Sequence, residues 1–86
     1  MLTVEHNESK QTVDIFFDEE GREELLDVIR NLRSDWDHEH LFSPTCGGDE
    51  LAEIAQEPNN VVVHHLCVHL VPKLQNLRNH QISYVW

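Results

Sequence analysis

D-E-E-G-R-E-E-L-L-D-V-I-R-N-L-R-S, residues Asp18 to Ser34, is the one long helical signal in the chain, and the remaining residues arrange themselves around it. Leu25, Val28, Ile29 and Leu32 recur at spacings of three, one and three, which sets a single apolar stripe on a 3.6-residue period. Glu24, Asp27 and Arg30 fall on the opposite side, toward water. Asp18 is suited to cap the first turn by accepting from free backbone N–H groups. Glu19, Glu20, Glu23 and Glu24 put negative charge at the positive end of the helix dipole, with Arg30 and Arg33 at the other end. Gly21 weakens the first turn a little. The pattern predicts a helix over about Glu19 to Ser34.

The flanks read as strands. Before the helix, Leu2, Val4 and His6 alternate with Thr3 and Glu5, N-E-S-K supplies turn chemistry, and Val13, Ile15 and Phe17 alternate with Asp14 and Phe16, which together predict a hairpin. After it, Trp36, His38, His40 and Phe42 share one side of a short strand, with Asp37, Glu39 and Leu41 on the other. Ser43 to Gly48 breaks that pattern, and Gly47-Gly48 reads as a sharp reversal needing positive φ. D-E-L-A-E-I-A-Q, Asp49 to Gln56, fits a short helix through Leu51, Ile54 and Ala55. Glu57 to Asn60 is a turn with Pro58 at the position whose φ it presets. Val61 to Val71 is the most strand-like run, ended by Pro72. Its Val62, His64, Leu66, Val68 and Leu70 form the expected core face, and His65, Cys67 and His69 lie on the other. Leu74 and Leu77 suit one apolar turn, and Ile82, Tyr84 and Trp86 alternate as a final strand.

These elements predict an α+β fold and one domain over residues 1–86, with 72–86 as a C-terminal extension. The order is β-β-α-β-β, with room for one more strand: an antiparallel or mixed sheet of four or five strands with the helix on one face. With a single helix, the second face of the sheet is left to solvent, to the tail or to another subunit. At 86 residues the core is near the low end for self-sufficiency, so a homodimer is compatible with the size.

The formal charge is −10, and it is unevenly placed. All sixteen acidic residues lie at or before Glu57 beside four basic ones, a local charge of −12, whereas residues 58–86 carry +2. Such a field repels phosphate and attracts a basic protein, so nucleic acid is not an expected partner. No apolar run reaches the roughly 18 residues needed to span a bilayer, and a membrane is not expected either. Met1 leads straight into L-T-V-E-H without a secretory n-region, h-region and cleavage site. A cytoplasmic location with Cys46 and Cys67 reduced is the corresponding expectation.

Two kinds of chemistry come into question at the His and Cys residues. His38, His40, His65, Cys67 and His69 all sit at alternating strand positions, and imidazole with thiolate is a normal zinc set. They converge only if their two strands are neighbours, and no C-x-x-C or H-E-x-x-H spacing fixes a site. The sequence therefore assigns no metal ligand and no cofactor. Catalysis has less support: Cys46 before Gly47-Gly48 occupies no nucleophile motif, and no base or oxyanion donor can be placed beside it. No catalytic residue is assigned and the chain is not expected to be an enzyme.

His38-x-His40-Leu41, followed by a short loop and Gly47-Gly48-x-x-Leu51-x-Glu53, resembles the small immunity proteins of bacterial polymorphic toxin systems, in particular the group numbered 32. H-H-L-C-V-H-L, His64 to Leu70, is similar to that group's late strand. The resemblance runs through residues 2 to 71, with Thr45-Cys46 standing where an aromatic is expected before the glycines. It implies an antitoxin role: a cytoplasmic protein that binds a cognate toxin domain and blocks it. An acidic chain suits a toxin with a basic groove, such as a nuclease. Asp35, Asp37, Glu39, Asp49 and Glu50 flank the His pair and the Gly-Gly loop and are the expected partner contacts. Two other readings stand beside it: a small His/Cys metal-binding domain, and a homo-oligomer with the His-bearing sheet face as its interface.

Overall fold

A computed structural model describes residues 1–73. The apolar turn expected at Leu74 and Leu77 and the final strand expected through Ile82, Tyr84 and Trp86 fall outside the described residues. The elements are β1 (Leu2–Asn7), β2 (Thr12–Phe17), α1 (Glu19–Asn31), β3 (His38–Phe42), a 3-10 turn (Pro44–Cys46), β4 (Val61–Val62) and β5 (His65–His69). The architecture is α+β with antiparallel strands throughout. The strands divide between two sheets, β2-β1-β4 and β3-β5.

β1 and β2 form the expected hairpin, pairing Leu2 with Phe17, Val4 with Ile15 and His6 with Val13. Its turn is closed by Asn7, whose side-chain oxygen accepts from the Lys10 N–H and the Ser9 hydroxyl, and by Gln11 at φ 54. α1 begins as the sequence predicts, with the Asp18 carboxylate accepting from Gly21 N–H at 2.8 Å. It ends three residues before the expected Ser34, because Leu32 turns extended at ψ 107 and caps onto the Ile29 carbonyl.

Leu2, Val4, Leu41 and Leu51 are the buried core, with Leu25 and Val28 of α1 and Val63, Leu66 and Val68 packed against them. α1 lies on this face of the β1-β2 hairpin, with Gly21 against Met1 and Phe17. Val13, Ile15 and Phe17 share a face of β2 and remain exposed, as does Val61 beside them.

Three expectations need correcting. Val61 to Val71 is not one strand: it pairs with β1 for two residues, breaks at Val63-His64, and resumes against β3. At the break Val63 N–H donates to the Val4 carbonyl at 2.7 Å, and the His64 carbonyl accepts from Ser43 N–H at 3.0 Å. The same chain thus serves both sheets.

Asp49 to Gln56 is not a helix. Glu50 and Leu51 N–H both donate to the Phe42 carbonyl, Ala52 N–H donates to Leu2, and Gln56 N–H donates to the Glu5 carboxylate. With these donors committed to distant partners, no i to i−4 ladder forms.

The helix-free face of β1 does not meet solvent. Thr3, Glu5 and Asn7 point there and are buried beneath residues 54–60, with Glu5 at 0% exposure. The Glu5 carboxylate accepts from the Thr3 hydroxyl (2.7 Å), Gln56 N–H (2.8 Å), Asn60 Nδ2 (3.1 Å) and Glu57 N–H (3.4 Å). Asn60 also donates to Asp14 and accepts from Asn7 Nδ2. A loop can cover a sheet face only if its polar groups are satisfied there, and this buried carboxylate supplies most of the acceptors.

Candidate functional site

α1 and the loop after Gly48 face each other across a cleft of about 460 Å³. Its lining is Glu20, Glu24 and Asp27 from α1, Asp49 and Glu50 from the loop, and Val28 and Leu41 as an apolar floor. Glu20, Glu24 and Asp27 stand at i, i+4 and i+7, so they form one row along the helix. Of these five carboxylates only Asp27 meets a cation among the described residues, Arg30 at 3.6 Å, and that is a solvent-exposed pair of little energetic weight. The other four carboxylates form no ion pair within 4 Å among the described residues, although the Met1 ammonium, raised in pKa chiefly by Asp18, also feels the charges of Glu20 and Glu24.

The Gly-Gly pair positions the loop, and the two glycines do so for different reasons. Gly47 sits at φ 89, the left-handed conformation that ends the 3-10 turn, and its N–H donates to the Pro44 carbonyl. Gly48 is needed for closeness: a Cβ there would lie 2.6 Å from the Phe42 Cβ and 2.8 Å from the Phe42 oxygen. The reversal with positive φ expected from the sequence therefore applies to Gly47 alone. Glu50 folds back over this junction, accepting from Asp49 N–H (2.8 Å) and Phe42 N–H (3.3 Å). The Asp49 N–H first, and that of Phe42 after it, hold the Glu50 carboxyl below its ordinary pKa. Replacing Gly48 with alanine should push the loop off β3 and cost about 1–3 kcal/mol, read as a lower urea midpoint at unchanged slope.

The five expected contacts come from the turn after α1, from β3 and from the loop after Gly48. Asp49 and Glu50 line the cleft. Asp37 lies elsewhere and is occupied locally, accepting from Ser34 N–H (2.9 Å) and Arg33 N–H (3.0 Å), which lower its pKa. Asp35 is exposed in the same turn. Glu39 is exposed on the Leu41 side of β3, opposite Val68. The helix acids Glu20, Glu24 and Asp27 were not among the expected contacts. The signal available for them was their one-sided 4 and 3 spacing, but the sequence reading placed Glu24 and Asp27 toward water and gave Glu20 to the helix dipole.

The second concentration of chemistry lies on the outer face of the β3-β5 sheet. His38 pairs with His69, His40 with Cys67 and Phe42 with His65, so the alternating groups of both strands do share one surface. His40 Nδ1 lies 2.7 Å from His65 Nε2, and Cys67 Sγ lies 3.1 Å from His40 Nδ1 and 3.3 Å from His65 Nε2. Phe42 stacks on His65 with centroids 4.3 Å apart, and His38 stacks on His69 at 5.6 Å. Trp36, expected to extend this row, sits outside β3 at φ 72 and is exposed. Its N–H donates to the Leu70 carbonyl, and Leu70 N–H donates to the Asp37 carbonyl, which continues the pairing beyond β3.

No family model, curated protein or solved structure matches the chain. No helix among the described residues is long and apolar enough to cross a membrane.

Proposed function

We propose that this chain is a non-catalytic inhibitor of the immunity type, which binds a basic surface of a cognate toxin domain through the cleft between α1 and the Asp49-Glu50 loop. The observation that carries the reading is the cleft itself: five carboxylates around an apolar floor of Val28 and Leu41. Like charges at i and i+4 oppose helix formation, so the Glu20, Glu24 and Asp27 row has a cost in the free protein that a cationic partner relieves. An arginine or lysine side chain matches the site in both respects, laying its aliphatic stem on the floor and its charged end among the carboxylates. The net charge of −10 adds long-range attraction, which speeds encounter with a basic groove. The resemblance of His38-x-His40-Leu41 and Gly47-Gly48-x-x-Leu51-x-Glu53 to immunity proteins supplies the class of partner. A cytoplasmic setting belongs to the same proposal.

The test is recovery of the bound protein from native cells with the tagged chain, followed by its titration against variants. Glu20→Lys with Glu24→Lys and Asp49→Lys should weaken binding by at least about tenfold and reduce the salt dependence of the association rate. Thermal unfolding of the free variant is the folding control, because lysine at position 20 replaces an acidic residue in the first turn of α1. Substitution of Asp35, exposed in the turn after α1 and not part of the cleft lining, should have little effect. Equal affinity of the cleft variant and the parent chain would place the partner elsewhere.

A further inference from the structure

We infer that His40, His65 and Cys67 form a binding site for a borderline-soft divalent transition metal of the zinc class, clamping β3 to β5 on the face away from the core. The ligand atoms are two imidazole nitrogens and one thiol sulfur, all within 4.8 Å of one another. Tetrahedral zinc with Zn–N near 2.0 Å and Zn–S near 2.3 Å separates such ligands by about 3.3–3.6 Å. The present separations of 2.7, 3.1 and 3.3 Å need only small outward rotations of these exposed side chains.

Three features of the surroundings favour this reading over three hydrogen-bonded surface groups. First, all three residues are exposed, so water could satisfy each of them separately, yet their ligating atoms turn inward to one point. Second, the aromatic wall orients the rings: Phe42 stacks on His65 at 4.3 Å and lies nearly parallel to His40, 10° apart at 6.1 Å. Third, the donors are two nitrogens and one sulfur, with no carboxylate in the cluster. This composition suits zinc, cobalt or copper and not calcium or magnesium, which require oxygen ligands. On binding, the thiol loses its proton to become thiolate, and each imidazole coordinates through the nitrogen already aimed at the centre. The fourth position faces outward, where water or a group from a binding partner can complete the tetrahedron.

The experiment is a titration of the tag-free, reduced full chain, stripped with chelator, with Co²⁺ and then with Zn²⁺ in competition. One Co²⁺ per chain should bind with a thiolate-to-cobalt charge-transfer band in the near ultraviolet, and Zn²⁺ should abolish that band by displacement. Cys67→Ser should remove the band, and His40→Asn and His65→Asn should each weaken binding by at least about a hundredfold. Cys46→Ser and His69→Asn should leave both band and affinity unchanged. The assignment fails if no charge-transfer band develops, or if the band survives in Cys67→Ser and disappears in Cys46→Ser. Because these positions are exposed, each variant should keep the metal-free thermal transition of the parent, and His65→Asn provides the test if Cys67→Ser does not fold. Toxin binding plays no part in the readout, so this result and that of the cleft variants stand separately.

Discussion

Replacing Gly21 with alanine should destabilise the protein by about 4 kcal/mol or more, at the extreme of single-substitution effects. Helix propensity alone argues the reverse, since alanine is favoured over glycine inside a helix by about 1 kcal/mol. The packing decides. Gly21 is the buried residue of α1, and a Cβ on it would lie 1.8 Å from the Met1 carbonyl oxygen, 2.6 Å from the Met1 carbonyl carbon and 3.1 Å from the Phe17 Cβ. Two of those atoms are backbone and cannot rotate away. The Met1 oxygen is also held, because it accepts from Asp18 N–H at 3.1 Å, and Asp18 in turn caps the helix through Gly21 N–H. Relief of the overlap would require undocking the first turn of α1 from the start of β1, which carries Leu2 of the core. Equilibrium urea denaturation of Gly21→Ala measures this, and a midpoint equal to or above the parent's would show that the docking is absent in solution.

The second large effect is expected at Glu5. Glu5→Ala leaves the donors of Thr3, Gln56, Glu57 and Asn60 without their acceptor in a buried site, at a cost of about 3–5 kcal/mol. Glu5→Gln keeps the volume but directs an amide N–H at donors, so it too should destabilise, by less. The pH dependence separates the charge from the packing. Burial alone raises the Glu5 pKa, but the hydrogen bonds from Gln56 N–H, the Thr3 hydroxyl, Asn60 and Glu57 N–H outweigh it and leave the value below that of an ordinary glutamate. A carboxyl whose folded pKa is depressed contributes stability that is complete above the unfolded value, near about 4.3, and is lost as pH falls from there through the folded value. The parent chain should therefore lose stability relative to Glu5→Gln as pH drops below that point, and the gap between them should narrow. Asp18, Asp37 and Glu50 also have lowered pKa values, so the comparison must be made between the two proteins and not from the parent alone. A gap independent of pH would mean that Glu5 acts by shape and not by charge.

What could be read without the structure depended on the range of the interactions involved. The start of α1 was legible because Asp18 and the acidic first turn act within four residues, and the β1-β2 hairpin because alternation and turn chemistry are local. The 49–60 segment was not legible. Its amides bond to Phe42, Leu2 and Glu5, the last about fifty residues away, and helical spacing at Leu51, Ile54 and Ala55 was a coincidence over two turns. Glu5 in particular looks like an ordinary polar position of a half-exposed strand until the loop is placed over it. For the site, alternation showed that His38 and His40 share a side, as do His65, Cys67 and His69. Only the β3-β5 register put His40 opposite Cys67. The acidic cleft escaped because its two walls come from different elements, and residues on a helix's polar side look identical whether they face open water or another set of carboxylates.

The break at Val63-His64 gives the two sheets a rigid mechanical link. Two residues span at most about 7 Å, and both are pinned, one to β1 through Val63 N–H and the other to the end of β3 through the His64 carbonyl. A load applied to the outer face at His65 or Cys67, whether by an ion clamping the two strands or by a partner pulling on them, has almost no slack to absorb before it reaches Val4. Stiffening of the β3-β5 pair should therefore slow amide hydrogen exchange in β1 as well, although no residue of β1 belongs to the histidine face.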